Sequence, residues 1–165
     1  MDFHLFSVSV FFLTSVCLEV STNDSRITNL PKTECRGGWF FYNSHCYGFS
    51  RNLLSWYDAE LDCQSYGSGT HLASITHSME GIMISTLIKS YPWKENVWVG
   101  LQDLCKNNTW KWTDGADLQY EAWNKGEPNN FEDENCVFLL ASQGYEFWSN
   151  VNCTRRMQYL CKFSI

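Results

Sequence analysis

Proline is scarce in this 165-residue chain, with three in all, and only 12 basic residues stand against 18 acidic ones, a net charge of −6. Lys and Arg gather nowhere, so the footprint of a nucleic-acid binder is missing. No apolar run reaches the roughly 20 residues of a membrane-spanning helix. No segment repeats, which excludes solenoids and propellers. His45, His71 and His77 lack paired metal-ligand spacing and are read as structural or exposed. No serine stands in a nucleophile elbow, and no catalytic constellation is found, so the chain is not read as an enzyme. Charged residues reach only 18%, little more than the aromatic 16%. That supply of large apolar anchors specifies a folded body rather than disorder, and the length suits one domain.

Cysteine, by contrast, is plentiful at eight. Residues 5–16 form a short apolar stretch rich in Phe and Val, which reads as a secretory signal peptide. Its n-region has no Lys or Arg, and cleavage falls either after Cys17 or near Ser21, so residues 1–21 are assigned to it. The alternative is a buried N-terminal strand. Removing Cys17 leaves seven cysteines, and cysteines of a secreted chain are expected to pair. An odd cysteine then remains. Sequons at Asn23, Asn107 and Asn152 agree with a secreted, extracellular protein, the last compromised by Cys153 in its middle position.

Residues 22–34 are polar and read as a short leader, with the folded domain over 35–165. Aromatic residues flank Asn43-Ser44 between Cys35 and Cys46, which predicts a hairpin that a bridge between the two would close. Residues 55–66 predict a helix with Ser55 and Asp58 in a capping-box-like start. Trp56, Ala59, Cys63 and Tyr66 form its apolar face, and Gly67 and Gly69 end it. A short strand over 71–75 precedes a second helix, 78–89, capped by Thr76 or Ser78. Its predicted buried face is Met79, Ile82, Met83 and Leu87. Short strands follow over 97–101, 110–112, 136–140, 147–150 and 159–163. The unbroken apolar run at 97–101 reads as a central strand, and the whole as an α+β domain. The many tryptophans (Trp98, Trp110, Trp112, Trp123 and Trp148) are read as core rather than as exposed platforms.

One stretch fits neither core nor helix. Residues 123–136 run from Trp123 to Cys136 through Gly126, Glu127, Pro128, Asn129, Glu132, Asp133 and Glu134. Unpaired charges resist burial, and Gly126 and Pro128 break helices, so the run is a loop anchored at both ends. Its oxygens are of the kind a hard cation takes.

In order along the chain, Trp98-Val99-Gly100-Leu101, Trp110 to Gly115, Trp123, Glu127-Pro128-Asn129, Glu134-Asn135-Cys136, Phe147-Trp148 and Cys161 resemble the C-type lectin domain across 35–163. The stretch 46–75 is similar to its regenerating-protein, or lithostathine-type, branch, and single-domain venom lectins are similar too. The resemblance implies two helices packed on small antiparallel sheets with a long loop region. It also implies the disulfides Cys35–Cys46, Cys63–Cys161 and Cys136–Cys153. Cys105 becomes the odd cysteine, either a half-buried free thiol or an interchain bridge joining two copies, which would add avidity.

The resemblance further implies a calcium site that holds a sugar through two hydroxyls. Glu127, Asn129 and Glu134 match its ligands, and Asn150 is the fourth, both for calcium and for carbohydrate. Pro128 would be cis. Glu before Asn resembles the mannose-type members, whose partners carry equatorial vicinal hydroxyls: mannose, glucose, N-acetylglucosamine and fucose. The departure is Ser149-Asn150, where the family has Asn-Asp. It removes one negative charge and should weaken calcium about tenfold. The expectation is therefore a calcium-dependent lectin of mannose-type specificity. The alternative is calcium-independent binding of bacterial polysaccharide, a protein receptor or mineral.

Overall fold

Asn43 and Ser44 both adopt left-handed backbone, φ 45° and 62°, and reverse the chain between β1 (Phe40–Tyr42) and β2 (His45–Leu54). This is the hairpin expected around Asn43-Ser44, although β2 continues well past it. The structure, a computed structural model, describes residues 34–129, 131 and 133–165. The expected signal peptide, the leader up to residue 33 and the Asn23 sequon lie outside the described residues.

Helix α1 (Trp56–Ser65) starts where the capping pattern places it. Ser55 Oγ accepts the Asp58 N–H at 3.3 Å and donates to its carboxylate at 2.6 Å. Trp56, Ala59 and Cys63 are buried on one face, joined by Glu60. Helix α2 (Ser78–Lys89) spans the expected residues, but its cap and its face differ. His77 is the cap, its Nδ1 accepting the Glu80 N–H at 3.1 Å. The buried residues are Glu80, Ile84, Ser85 and Ile88; of the expected face, Met83 and Leu87 are half-buried against the core, while Met79 and Ile82 are exposed. The apolar pattern offers two faces about two-fifths of a turn apart. A buried charge pair turns the helix onto the less apolar one: Lys162 Nζ donates to Glu80 Oε1 at 2.7 Å with both side chains nearly fully buried.

The strands join one network rather than several small sheets. With β6 (Cys136–Leu139), β7 (Trp148–Val151), β4 (Val97–Gln102) and β8 (Met157–Ser164), their order is β1-β2-β8-β4-β6-β7, and β3 (His71–Leu72) lies beside β8 and β5 (Lys111–Trp112) beside β4. All pairings are antiparallel except β4 with β8, which runs parallel through Val97↔Gln158 and Trp98↔Tyr159. Strand β4 is central, as its apolar run predicts, because alternate side chains feed two clusters. Val97, Val99 and Leu101 join the core under α2, with Ile84, Ile88 and Trp148; Trp98 joins Trp56, Ala59 and Tyr159 under α1. Gly100 is required there: a Cβ would stand 2.6 Å from the Leu72 carbonyl.

The three disulfides Cys35–Cys46, Cys63–Cys161 and Cys136–Cys153 are present. Cys63–Cys161 spans 98 residues and ties α1 to β8; closing a loop of that length stabilises by roughly 4–5 kcal/mol in the chain-entropy account. Cys105 is disulfide-bonded as well, and no described cysteine is free, which corrects the free-thiol alternative. No described helix is long and apolar enough to cross a membrane.

Candidate loop site

The loop's ends are fixed by backbone, not only by the apolar grip of its terminal residues. Trp148 N–H donates to the Ala122 carbonyl, and Asn124 N–H to the Trp148 carbonyl, both at 2.8 Å. At the other end Cys136 opens β6 (Cys136–Leu139), which pairs with β7 (Trp148–Val151) in the register Cys136↔Val151, Val137↔Asn150, Phe138↔Ser149. The Cys136–Cys153 bridge locks that hairpin from outside. Ser149 and Asn150 are therefore presented from a strand directly beneath the loop, and both are buried. Within the loop, Gly126 takes φ 86°, and the Glu127–Pro128 peptide is cis, as expected.

Of the four expected ligands, Glu127, Asn129 and Asn150 meet through their side chains, and Glu134 joins them through its backbone carbonyl. Glu127, Asn129 and Glu134 are half-buried around the Asn150 side chain. What they do there differs from a cation cage. Glu127 Oε1 accepts from Ser149 Oγ at 3.0 Å, and its Oε2 accepts from the Asn129 N–H at 2.9 Å and from Asn129 Nδ2 at 3.0 Å. Asn150 Oδ1 accepts the same Asn129 N–H at 3.0 Å. Asn150 Nδ2 donates to the carbonyls of Asn129 (2.8 Å) and Glu134 (2.6 Å). Ser149, part of the departure from the family's Asn-Asp pair, is thus a partner of the loop's first carboxylate.

These contacts decide how well calcium fits. The ion takes six to eight oxygens and favours anionic ones. Here both oxygens of Glu127 and the side-chain oxygen of Asn150 are already hydrogen-bonded. The Asn150 amide also points its N–H groups at two carbonyls that would otherwise turn toward a cation. An aspartate at that position would set a carboxylate against those carbonyls and need an ion between them; asparagine replaces the ion with two hydrogen bonds. Among the described residues no cluster of three or more His, Cys, Asp or Glu is arranged to hold a metal. The donor set does not fit a calcium ion. Glu132 and Asn130 lie outside the described residues.

Of the remaining expectations, Trp98, Trp112 and Trp148 are core, and Trp110 and Trp123 are half-buried against it, their rings 5.1 Å apart and tilted by 59°. His71 pairs with Glu60 at 2.6 Å, and His45 lies 2.7 Å from the Asn43 carbonyl. Asn107 is exposed, its Oδ1 accepting the Thr109 N–H at 3.1 Å. The Asn152 side chain is taken up by Thr154 next to the bonded Cys153.

With this geometry in view, the likenesses to known proteins are specific. Residues 52–163 match the Lectin C-type domain. Regenerating islet-derived protein 4 of Rattus norvegicus is 39% identical over 137 residues, covering 83% of this chain and 86% of that protein. The solved structure of human lithostathine superposes with a TM-score of 0.76 at 36% identity, covering 79% of this chain and all of the other. A calcium-independent type II antifreeze protein superposes with a TM-score of 0.71 at 25% identity, covering 79% and 95%.

Proposed function

The chain belongs to the C-type lectin domain family, on its regenerating-protein branch, and from that premise we propose that it is a secreted carbohydrate-binding protein whose loop site works without calcium. Its family consists of binding proteins, and the chain is not an enzyme. The observation that carries the calcium-free reading is the clasp of Glu127, Asn129, Ser149 and Asn150, in which protein donors occupy the positions a cation would neutralise. A loop already held by its own hydrogen bonds needs no ion to be ordered before a sugar arrives, so less ordering cost falls on binding. A structural neighbour described as calcium-independent supports the same view of what this fold tolerates.

The second reading is calcium-dependent, mannose-type binding. It is favoured by the presence of Glu127, Asn129 and Glu134 in one place. A glycan array run once with calcium and once with chelator separates the two. Equal signals support the calcium-free site; loss of all signal in chelator overturns it. Preference for mannose, glucose, N-acetylglucosamine or fucose over galactose would retain the mannose-type specificity without its ion. Secretion follows from the apolar 5–16 stretch and is tested by recovering the full-length product from culture medium, cleaved between residues 17 and 22. The interchain bridge through Cys105 is not proposed, because Cys105 is already disulfide-bonded in the single chain.

A further inference from the structure

On the opposite side of β4 from the loop, strands β2 and β8 part. Their register reaches Ser50↔Tyr159 and resumes at Leu54↔Met157, so residues 51–53 of β2 stand across from Gln158 alone. Such a bulge breaks the ladder and re-aims its side chains. The segment 93–95 borders the gap on its way into β4, whose Val97 pairs with Gln158. Arg51, Asn52, Trp93, Lys94, Glu95 and Gln158 line a recess of about 560 Å³ there. That volume falls within the roughly 300–1,000 Å³ of ligand sites.

Gln158 is the unusual member. It is 5% exposed, and its side chain makes no hydrogen bond to a described residue. A buried amide without partners is costly, and few are tolerated unless something else satisfies them. The fold gives this one no partner and sets it in the wall of a recess, where a ligand can supply one.

The charges around it are open as well. Arg51 and Lys94 are exposed and form no ion pair with a described residue. The Arg51 guanidinium lies over the Trp93 ring, 5.5 Å from its centre. A guanidinium held on an aromatic face keeps its N–H edge free for a planar carboxylate. Glu95 adds one carboxylate among the cations, so the recess does not suit a ligand that is anionic along its whole length. It suits one that sets a hydrogen-bond donor beside each carboxylate. A polypeptide does so: its backbone N–H donates to Glu95 or to Gln158 Oε1, and its carbonyl accepts from Gln158 Nε2.

We propose that this recess binds an acidic segment of a partner polypeptide. Arg51, aligned by Trp93, takes a carboxylate through two parallel hydrogen bonds. Lys94 adds a second positive charge, and Gln158 pairs with a backbone amide of the segment. The partner is read by its acidic side chains, at a place separate from the loop site.

Fluorescence anisotropy with the labelled, capped peptide Gly-Asp-Gly-Asp-Gly tests this, with Gly-Asn-Gly-Asn-Gly as its neutral counterpart and dextran sulfate as a chain of anions. The acidic peptide should bind about tenfold more tightly than the neutral one. Its affinity should fall several-fold between about 50 and about 300 mM salt. R51Q and K94Q should each weaken it about fivefold, the scale of one charged contact at a surface. Q158L should weaken it about tenfold and yet melt no lower than the unmodified protein, because it removes an amide that has no partner in the fold. E127Q, in the loop, should bind the peptide unchanged. If R51Q and K94Q, or Q158L, bind the peptide like the unmodified protein, or if E127Q loses it, the inference falls. A lower melting temperature for Q158L would give its amide a structural role and overturn its part in binding. Tighter binding of dextran sulfate, lost in R51Q, would make the recess a polyanion site and overturn the peptide assignment.

Discussion

Two polar networks stiffen this molecule, and they are built from opposite materials. One lies under α2. Lys162 donates to Glu80, to the Ser74 carbonyl and to Ser74 Oγ; Tyr47 and Thr76 also donate to Glu80, and Ser74 Oγ donates to Asp114. It is a buried ion pair with every oxygen engaged. The other is the loop clasp, where a single carboxylate, Glu127, is held by neutral hydroxyl and amide donors. The first network is sealed in the core, so each charge depends on its partner. The second sits at the loop's edge, where its donors take over an ion's task. Burial, not the number of hydrogen bonds, sets what each is worth: a charge stripped of its partner in the interior keeps its full desolvation penalty, while an exposed one is rescued by water.

The largest expected effect comes from breaking the buried pair. K162M removes the counter-ion of buried Glu80 and leaves it only the hydrogen bonds from Tyr47 and Thr76, which should cost about 3–5 kcal/mol in chemical denaturation at neutral pH. K162M combined with E80L should recover most of that loss; if it does not, the pair holds the fold through contacts other than charge.

Opening the Cys136–Cys153 bridge comes next. C136S with C153S frees a loop of 17 residues and should cost about 3 kcal/mol. Because the bridge holds the hairpin beneath the clasp, glycan affinity should fall along with stability. Unchanged affinity would mean that the clasp orders the loop unaided.

The third test compares the clasp with an ion directly. N150D replaces two donated hydrogen bonds by a carboxylate facing the Asn129 and Glu134 carbonyls. In chelator it should lose about 1–3 kcal/mol, and millimolar calcium should restore the melting temperature. The unmodified protein should melt at the same temperature with or without calcium. A calcium-dependent rise in the unmodified protein would sink the clasp.

The smallest effect is a pH dependence on the α1 side. The hydrogen bond to Glu60 holds His71 above its ordinary value of 6.5, outweighing burial. Burial alone would raise Glu60, but hydrogen bonds from His71, the Leu72 N–H and Gln64 hold it below 4.5. The raised histidine contributes stability that is complete below pH 6.5 and lost as pH rises through its folded value. The depressed carboxyl contributes above pH 4.5 and loses it as pH falls. The pair's contribution is therefore greatest between about pH 4.5 and 6.5. H71Q should flatten the alkaline loss in a series of thermal melts; an unchanged slope would assign that loss to another group.

Much of this was legible one residue at a time. The start of α1 followed from Ser55 and Asp58, because capping is local chemistry. The central place of β4 followed from its unbroken apolar run. The convergence of Glu127, Asn129, Glu134 and Asn150 followed from motif order, which family resemblance translates into geometry. Other features resisted. The face of α2 was read only in part: Met83 and Leu87 pack against the core, whereas Met79 and Ile82 are exposed, and Lys162, 82 residues beyond Glu80, holds the neighbouring face inward. The cap of α2 is a histidine, outside the usual set of capping residues. Gln158 gave no sign of facing a recess, since its other walls come from residues 51–52 and 93–95.

The sequence by itself determined the family and the two helices, and through the family resemblance it implied the disulfide partners and the residues that meet at the loop. All of these rest on local propensity or on motifs whose order is fixed along the chain. Only the tertiary structure decided what those loop residues do. Whether an oxygen is open to a cation or already closed by a hydrogen bond depends on which donor a distant strand delivers to it. Here β7 delivers Ser149 and Asn150, and two neutral side chains finish a site that the loop's own acids begin.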